Sequence, residues 1–162
     1  MSLWTRVVEW LVSDSRLSSL SEDQSKAVIR ALVLCAEADG KITDEEWERL
    51  YSEIKRLPWR WHHHTPEVNA IISEFRRSEK ELQEAGGTVV DEIREVSAQL
   101  PEDPVARLAI YRMLVSVCWF DGLAPVEHEV VLTEFRKQLG ISDEDGEKTL
   151  QSVRDETLPN LG

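Results

Sequence analysis

Four side chains with ligand chemistry stand at matched places in the chain. Asp39 and Gly40 open a turn, and Glu46 follows seven residues after the aspartate. Asp121 and Gly122 open a second turn, and His128 follows at the same distance. The stretches Ala38-Asp39-Gly40-Lys41-Ile42-Thr43 and Phe120-Asp121-Gly122-Leu123-Ala124-Pro125 are thus offset by 82 residues. Each follows an apolar, helix-like run and leads into another. If the two halves pack about a pseudo-twofold axis, Asp39, Glu46, Asp121 and His128 converge. Close carboxylates repel: a like-charge pair ~4 Å apart costs on the order of 4 kcal/mol at an effective dielectric near 20. Solvent, a proton, a basic neighbour or a bound cation relieves that cost. Oxygen ligands alone suit calcium, magnesium or manganese, and His128 moves the preference towards zinc or another first-row metal. Glu37, Asp44, Glu45 and Glu127 are outer or alternative ligands. Helix-turn architecture competes for the same residues. Gly40 and Gly122 terminate helices, Asp39 caps its own turn, and Glu46 completes a T-x-x-E capping box with Thr43, worth ~1 kcal/mol.

The turns do not read as EF-hands. That loop needs an oxygen ligand at its first position, glycine at the sixth and glutamate at the twelfth. With Gly40 at the sixth place, Cys35 falls at the first and Glu37 at the third. The second copy puts Val117 first, Trp119 third and His128 twelfth. The first ligand is missing from both.

A second chemical stretch is Trp59-Arg60-Trp61-His62-His63-His64. Trp and Arg are enriched at partner surfaces, so Trp59, Trp61, His62 and His64 are candidate partner-binding residues. His62 and His64 could share a transition metal in extended backbone. The competing reading tucks the tryptophans onto the bundle and leaves the imidazoles wet. Catalysis finds little support. Cys35 and Cys118 have no evident base, and Asp121 with His128 has no accompanying nucleophile or phosphate-cradling loop. A non-enzymatic protein is expected.

Helices must position these residues. Leu3, Trp4, Val7, Val8, Leu11 and Val12 have amphipathic spacing, and residues 13–20 read as a loop. Ser21 with Gln24 opens a helix striped by Val28, Ile29, Leu32, Val33 and Ala36. Thr43 opens the next, with Trp47, Leu50, Tyr51 and Ile54 inward and Pro58 as its stop. Thr65-Pro66-Glu67 starts a fourth, whose charged end at 76–84 is expected to project into solvent. After Gly86-Gly87, Thr88 opens a fifth, with Val89, Val90, Ile93, Val96 and Leu100 as its stripe. Asp103-Pro104 opens a sixth through Val105, Leu108, Tyr111, Leu114, Val115 and Cys118. Pro125 opens a seventh, with Val126, Val130, Leu132, Phe135 and Leu139 inside. Ser142 caps the last, which carries Leu150 and Val153. No segment reads as a strand. The expected class is all-α: one bundle-like domain over 1–162, with seven or eight helices in two pseudo-symmetric repeats at about 21–84 and 103–156. Five extra residues in the first repeat fall within the Trp/His stretch.

The turns resemble the tellurite-resistance protein TerB family, in which an apolar helix ends in Ala-Asp-Gly and a Glu follows seven residues after the Asp. Ala38-Asp39-Gly40, Ile42-Thr43 and Glu46 match that pattern. Asp121-Gly122 matches and His128 departs, because the family has Glu there. Leu139-Gly140-Ile141-Ser142-Asp143-Glu144 is also similar, and the resemblance spans roughly residues 24 to 155. It implies an all-α fold of two pseudo-symmetric halves and an acidic surface proposed to bind metal ions. It also implies an association with tellurite and other chemical stress, a membrane-associated protein partner and calcium-binding partners. It implies no enzymatic reaction.

The bulk composition is compatible with this. A net charge of −12 disfavours nucleic acid and anionic membranes and favours cations or basic partners. Residues 1–12 carry Arg6 and Glu9 within their apolar pattern, unlike a secretory signal, and no run of ~20 apolar residues suggests direct membrane insertion. Cys35 and Cys118, both in helical apolar patterns, read as buried thiols in a reducing, cytoplasmic setting. Two functional expectations follow. One is a TerB-like stress-response protein that binds zinc, calcium or manganese through Asp39, Glu46, Asp121 and His128. The other is a metal-free interaction module that uses the acidic face and the Trp/His loop.

Overall fold

A computed structural model of the chain describes residues 15–38, 40, 42–58, 65–118 and 126–157. The described residues form an all-α bundle without strands. After a 3-10 turn at Ser15–Leu17 come α1 (Glu22–Ala36), α2 (Asp44–Ile54), α3 (Thr65–Glu84), α4 (Val89–Ala98), α5 (Pro104–Cys118), α6 (Val126–Gln138) and α7 (Asp143–Thr157). The helix expected at 3–12 lies outside the described residues.

Local chemistry sets the helix starts. Ser21 accepts from the Gln24 amide while the Gln24 side chain accepts from the Ser21 amide, closing a capping box on α1. Thr43 with Glu46 does the same for α2, and Thr88 with Asp91 for α4. Asp103 caps α5 by accepting from the Ala106 amide, and Pro104 occupies the first helical position, where a missing N–H costs nothing. Gly40, just past α1, has φ 97°, a left-handed conformation that glycine adopts without steric cost.

The core is organised on α1 and α5, which pack against each other. α1 also packs on α2, α3, α4 and α6, and α5 on α2, α6, α7 and the 3-10 turn. Both central helices are buried around most of their circumference: Val28, Ile29, Leu32 and Val33 on α1, and Ile110, Met113, Leu114 and Val115 on α5. Each such side chain contributes roughly 1.5–3 kcal/mol when fully buried. α5 begins 82 residues after α1 (104 against 22), and α6 begins 82 after α2 (126 against 44), the spacing of the two Asp-Gly turns.

Several expected faces are turned. Val126 and Val130 were expected inside, yet they are 71% and 63% exposed. The buried face of α6 is His128, Val131, Leu132 and Phe135, continued by Leu139. That stripe carries a Leu, a Phe and a second Leu, so it removes more apolar surface from water than two valines would. The histidine goes inside with it. Val89, Val90 and Val105 are likewise exposed, while Ile93, Val96 and Leu100 carry the core contacts near α4. Residues 13–20 include the short 3-10 turn, with Leu17 and Leu20 buried. The charged end of α3 does more than project into solvent. The Arg76 guanidinium lies 5.5 Å from the Trp47 ring centroid and its Nη2 is 3.5 Å from Glu37 Oε2, while Glu79 is half-buried.

Candidate functional site

The start of α2 and the start of α6 bring Glu46 and His128 together in the interior. Glu46 Oε2 lies 3.9 Å from His128 Nε2, with the two residues 4% and 3% exposed. Glu46 is held by its own helix start. Its Oε1 accepts from the Thr43 amide at 3.3 Å and the Thr43 hydroxyl at 3.0 Å. The capping box therefore accounts for one carboxylate oxygen only. Glu46 Oε2, His128 Nδ1 and His128 Nε2 are all buried without a hydrogen-bond partner among the described residues. An unsatisfied buried polar group costs about 1–3 kcal/mol, so three at one place call for a compensating partner.

The donor set fits a metal. A neutral imidazole offers one lone pair and a carboxylate offers several. Two ligand atoms each ~2.1 Å from a tetrahedral zinc stand ~3.4 Å apart, close to the observed separation. Asp39 and Asp121, the other two expected ligands, lie outside the described residues, as do Gly122, Trp59, Trp61, His62 and His64. Among the described residues no three His, Cys, Asp or Glu side chains group as a metal site. Asp44 and Glu45 are exposed at the start of α2. Cys35 and Cys118 are buried, the Cys118 Sγ 3.9 Å from the Cys35 carbonyl oxygen.

A second acidic feature adjoins the first turn. A cavity of about 510 Å³ is lined by Glu37, Glu79 and Glu92 from the end of α1, from α3 and from α4, by Ala38 and Gly40 of the turn, and by Glu127 at the start of α6. The exposed Val89, Val126 and Val130 also line it. Burial pushes the Glu37 carboxyl up to about 8; Glu79, by hydrogen bond and charge, pushes the same way, and Arg76 pulls it down. Glu37 Oε1 and Glu79 Oε2 are buried with no donor in reach. Two acceptors satisfy each other only when one carries a proton, and the raised Glu37 value describes that state. Glu92 rises to about 7, through burial and then the Glu79 charge, while a 3.5 Å bond from Gln83 Nε2 opposes the rise.

The sequence reading named Glu37 as an alternative ligand and missed Glu79 and Glu92. They lie on separate helices, and no spacing in the chain announces their meeting. One signal was legible: His128, Val131, Leu132, Phe135 and Leu139 make a regular helical stripe that places the histidine indoors.

No family model, no curated protein and no solved structure matches the chain.

Proposed function

We propose that this chain is a TerB-like, non-enzymatic stress-response protein that binds a divalent cation between two pseudo-symmetric helical halves. Glu46 and His128 are the inner ligands, and Asp39 and Asp121 complete the set. One observation carries the reading: a buried carboxylate oxygen stands 3.9 Å from Nε2 of a buried imidazole, and that oxygen and both ring nitrogens lack a hydrogen-bond partner among the described residues. These residues stand at matching places, 82 apart, in the chain. Thr43 orients the carboxylate by holding its other oxygen. A bound cation supplies positive charge that the imidazole and carboxylates satisfy together. The imidazole favours zinc over manganese and manganese over calcium, by ligand softness and the usual order of divalent affinities.

Calorimetric titration of chelator-treated protein tests this. The protein carries alanine at His62, His63 and His64, so that the histidine run contributes nothing. We predict saturable zinc binding that His128→Ala abolishes and Glu46→Gln weakens. Zinc heats unchanged by Asp39→Asn with Asp121→Asn would remove the aspartates from the ligand set.

The acidic cavity favours a second reading, a metal-free interaction module. Its carboxylates and the exposed Val89, Val126 and Val130 suit a basic side chain flanked by apolar ones on a protein partner. Val126→Ser with Val130→Ser should then release a partner that the unaltered protein retains, with helicity preserved. Retention by both would count against this reading.

A further inference from the structure

We propose that the acidic cavity bounded by α1, α3, α4 and α6 binds a linear aliphatic di- or polyamine as a free ligand. This goes beyond the interaction reading, which offers the same cavity to a side chain of a protein partner. The cavity, about 510 Å³, falls within the roughly 300–1,000 Å³ of pockets for small organic molecules. Carboxylates enter it from all four helices: Glu37 at the end of α1, Glu79 on α3, Glu92 on α4 and Glu127 at the start of α6. Among the described residues no Lys or Arg lines it.

Glu92 is the anchor. It is 3% exposed and lines the cavity. Its Oε1 accepts only a 3.5 Å bond from Gln83 Nε2, at the outer limit for a hydrogen bond, and among the described residues no donor reaches its Oε2. Its neighbours Glu79, Glu95 and Asp91 act on it with like charge. A buried carboxylate so poorly supplied with donors carries a desolvation cost that a cationic donor in the cavity recovers. Glu79 adds a second such atom, since its Oε2 is buried without a donor among the described residues. Arg76 offsets Glu37, its Nη2 3.5 Å from Glu37 Oε2. Glu79, Glu92 and Glu127 have no basic partner of their own among the described residues, a charge balance that favours a ligand with more than one positive group. The rest of the lining selects an alkyl amine over a metal ion. Calcium takes six to eight oxygen ligands, whereas Leu34, Val89, Val126 and Val130 present hydrocarbon to the same space. The three valines are exposed at 48%, 71% and 63%, and the methylenes of a diamine would cover them while its ammonium groups meet the carboxylates.

The test is calorimetric titration of metal-free protein with 1,4-diaminobutane and, separately, spermidine, at ionic strength held constant with sodium chloride. At pH 8 aliphatic amines are protonated and Glu92, which titrates near 7, is ionised. Neither a protein partner nor a divalent metal is present, so failure here is distinct from failure of either functional reading. We predict saturable binding of at least one of the two amines, with n-butylamine and Nα-acetyl-lysine amide each about tenfold weaker, because each brings a single positive group. Glu92→Gln should weaken binding about tenfold, as expected for loss of a charge-assisted hydrogen bond. Val130→Ser, at an exposed position, should weaken it several-fold by removing apolar contact with the methylenes. Circular dichroism confirms that each variant is folded. The proposal is overturned by absence of saturation with both amines, or by unchanged affinity in folded Glu92→Gln or folded Val130→Ser. It is equally overturned if Nα-acetyl-lysine amide binds as tightly as the better amine, since the cavity would then select a lysine side chain.

Discussion

Replacing Glu37 with glutamine should flatten the fall in stability between pH 6 and pH 8. The folded carboxyl titrates near 8 against an ordinary value of 4.5, chiefly because it is buried and because Glu79 faces it. Between those values the folded state holds a proton that the unfolded state has released. Stability is therefore greatest below about 4.5 and is lost as pH rises towards 8, at up to about 1.4 kcal/mol per pH unit for one proton. From pH 6 to pH 8 the loss approaches about 2 kcal/mol. The side chain is 18% exposed, so solvent screening trims the figure towards ~1 kcal/mol. Arg76 is nearby and lowers the value, whereas Glu79 and Glu92 raise it. Glutamine stays neutral and can donate to Glu79. We predict similar stability for Glu37→Gln and the unaltered protein at pH 6. At pH 8 the variant should be ahead by ~1–2 kcal/mol, or a few degrees in Tm for a chain of this size. Urea unfolding followed by circular dichroism at both pH values measures this. Parallel pH dependences in the two proteins would refute the reasoning, because the proton would then not reside on Glu37.

Other substitutions probe separate parts of the account. His128→Leu, measured in chelator, should be neutral or stabilising by about 1 kcal/mol, since it removes two unpartnered buried nitrogens; it should also abolish any zinc-dependent rise in Tm. Thr43→Ala should cost ~1 kcal/mol through the lost cap and weaken zinc binding, because Glu46 loses the hydroxyl that orients it. Phe135→Ala, at a fully buried position on α6, should cost about 3–5 kcal/mol in urea unfolding. Glu92→Gln should remove a second, smaller part of the pH dependence, one that ends near pH 7.

Local signals carried much of the fold. Ser21 with Gln24 and Thr43 with Glu46 are capping boxes that a four-residue window reveals, and the all-α class followed from such punctuation. What escaped depended on packing between helices. Val126 and Val130 fit an apolar stripe as well as Leu132 and Phe135 do, and only the competition for core volume shows which face of α6 wins. The Glu37, Glu79 and Glu92 cluster draws on three helices, and the network of Glu53 with Ser116 joins side chains 63 residues apart. Periodicity along one helix has no information about either. The candidate metal site was half legible. The offset of 82 pairs Glu46 with His128, whereas the burial of both and the division of labour between the two Glu46 oxygens belong to the three-dimensional arrangement.

X-ray absorption at the zinc edge tests the metal reading most directly. The sample is zinc-loaded protein with alanine at His62, His63 and His64, compared with the same protein carrying His128→Gln. The account predicts one imidazole among oxygen ligands at ~2.0–2.1 Å, with the imidazole scattering lost in the variant. Failure to retain zinc after exchange into metal-free buffer, or an imidazole shell unchanged by His128→Gln, would contradict it.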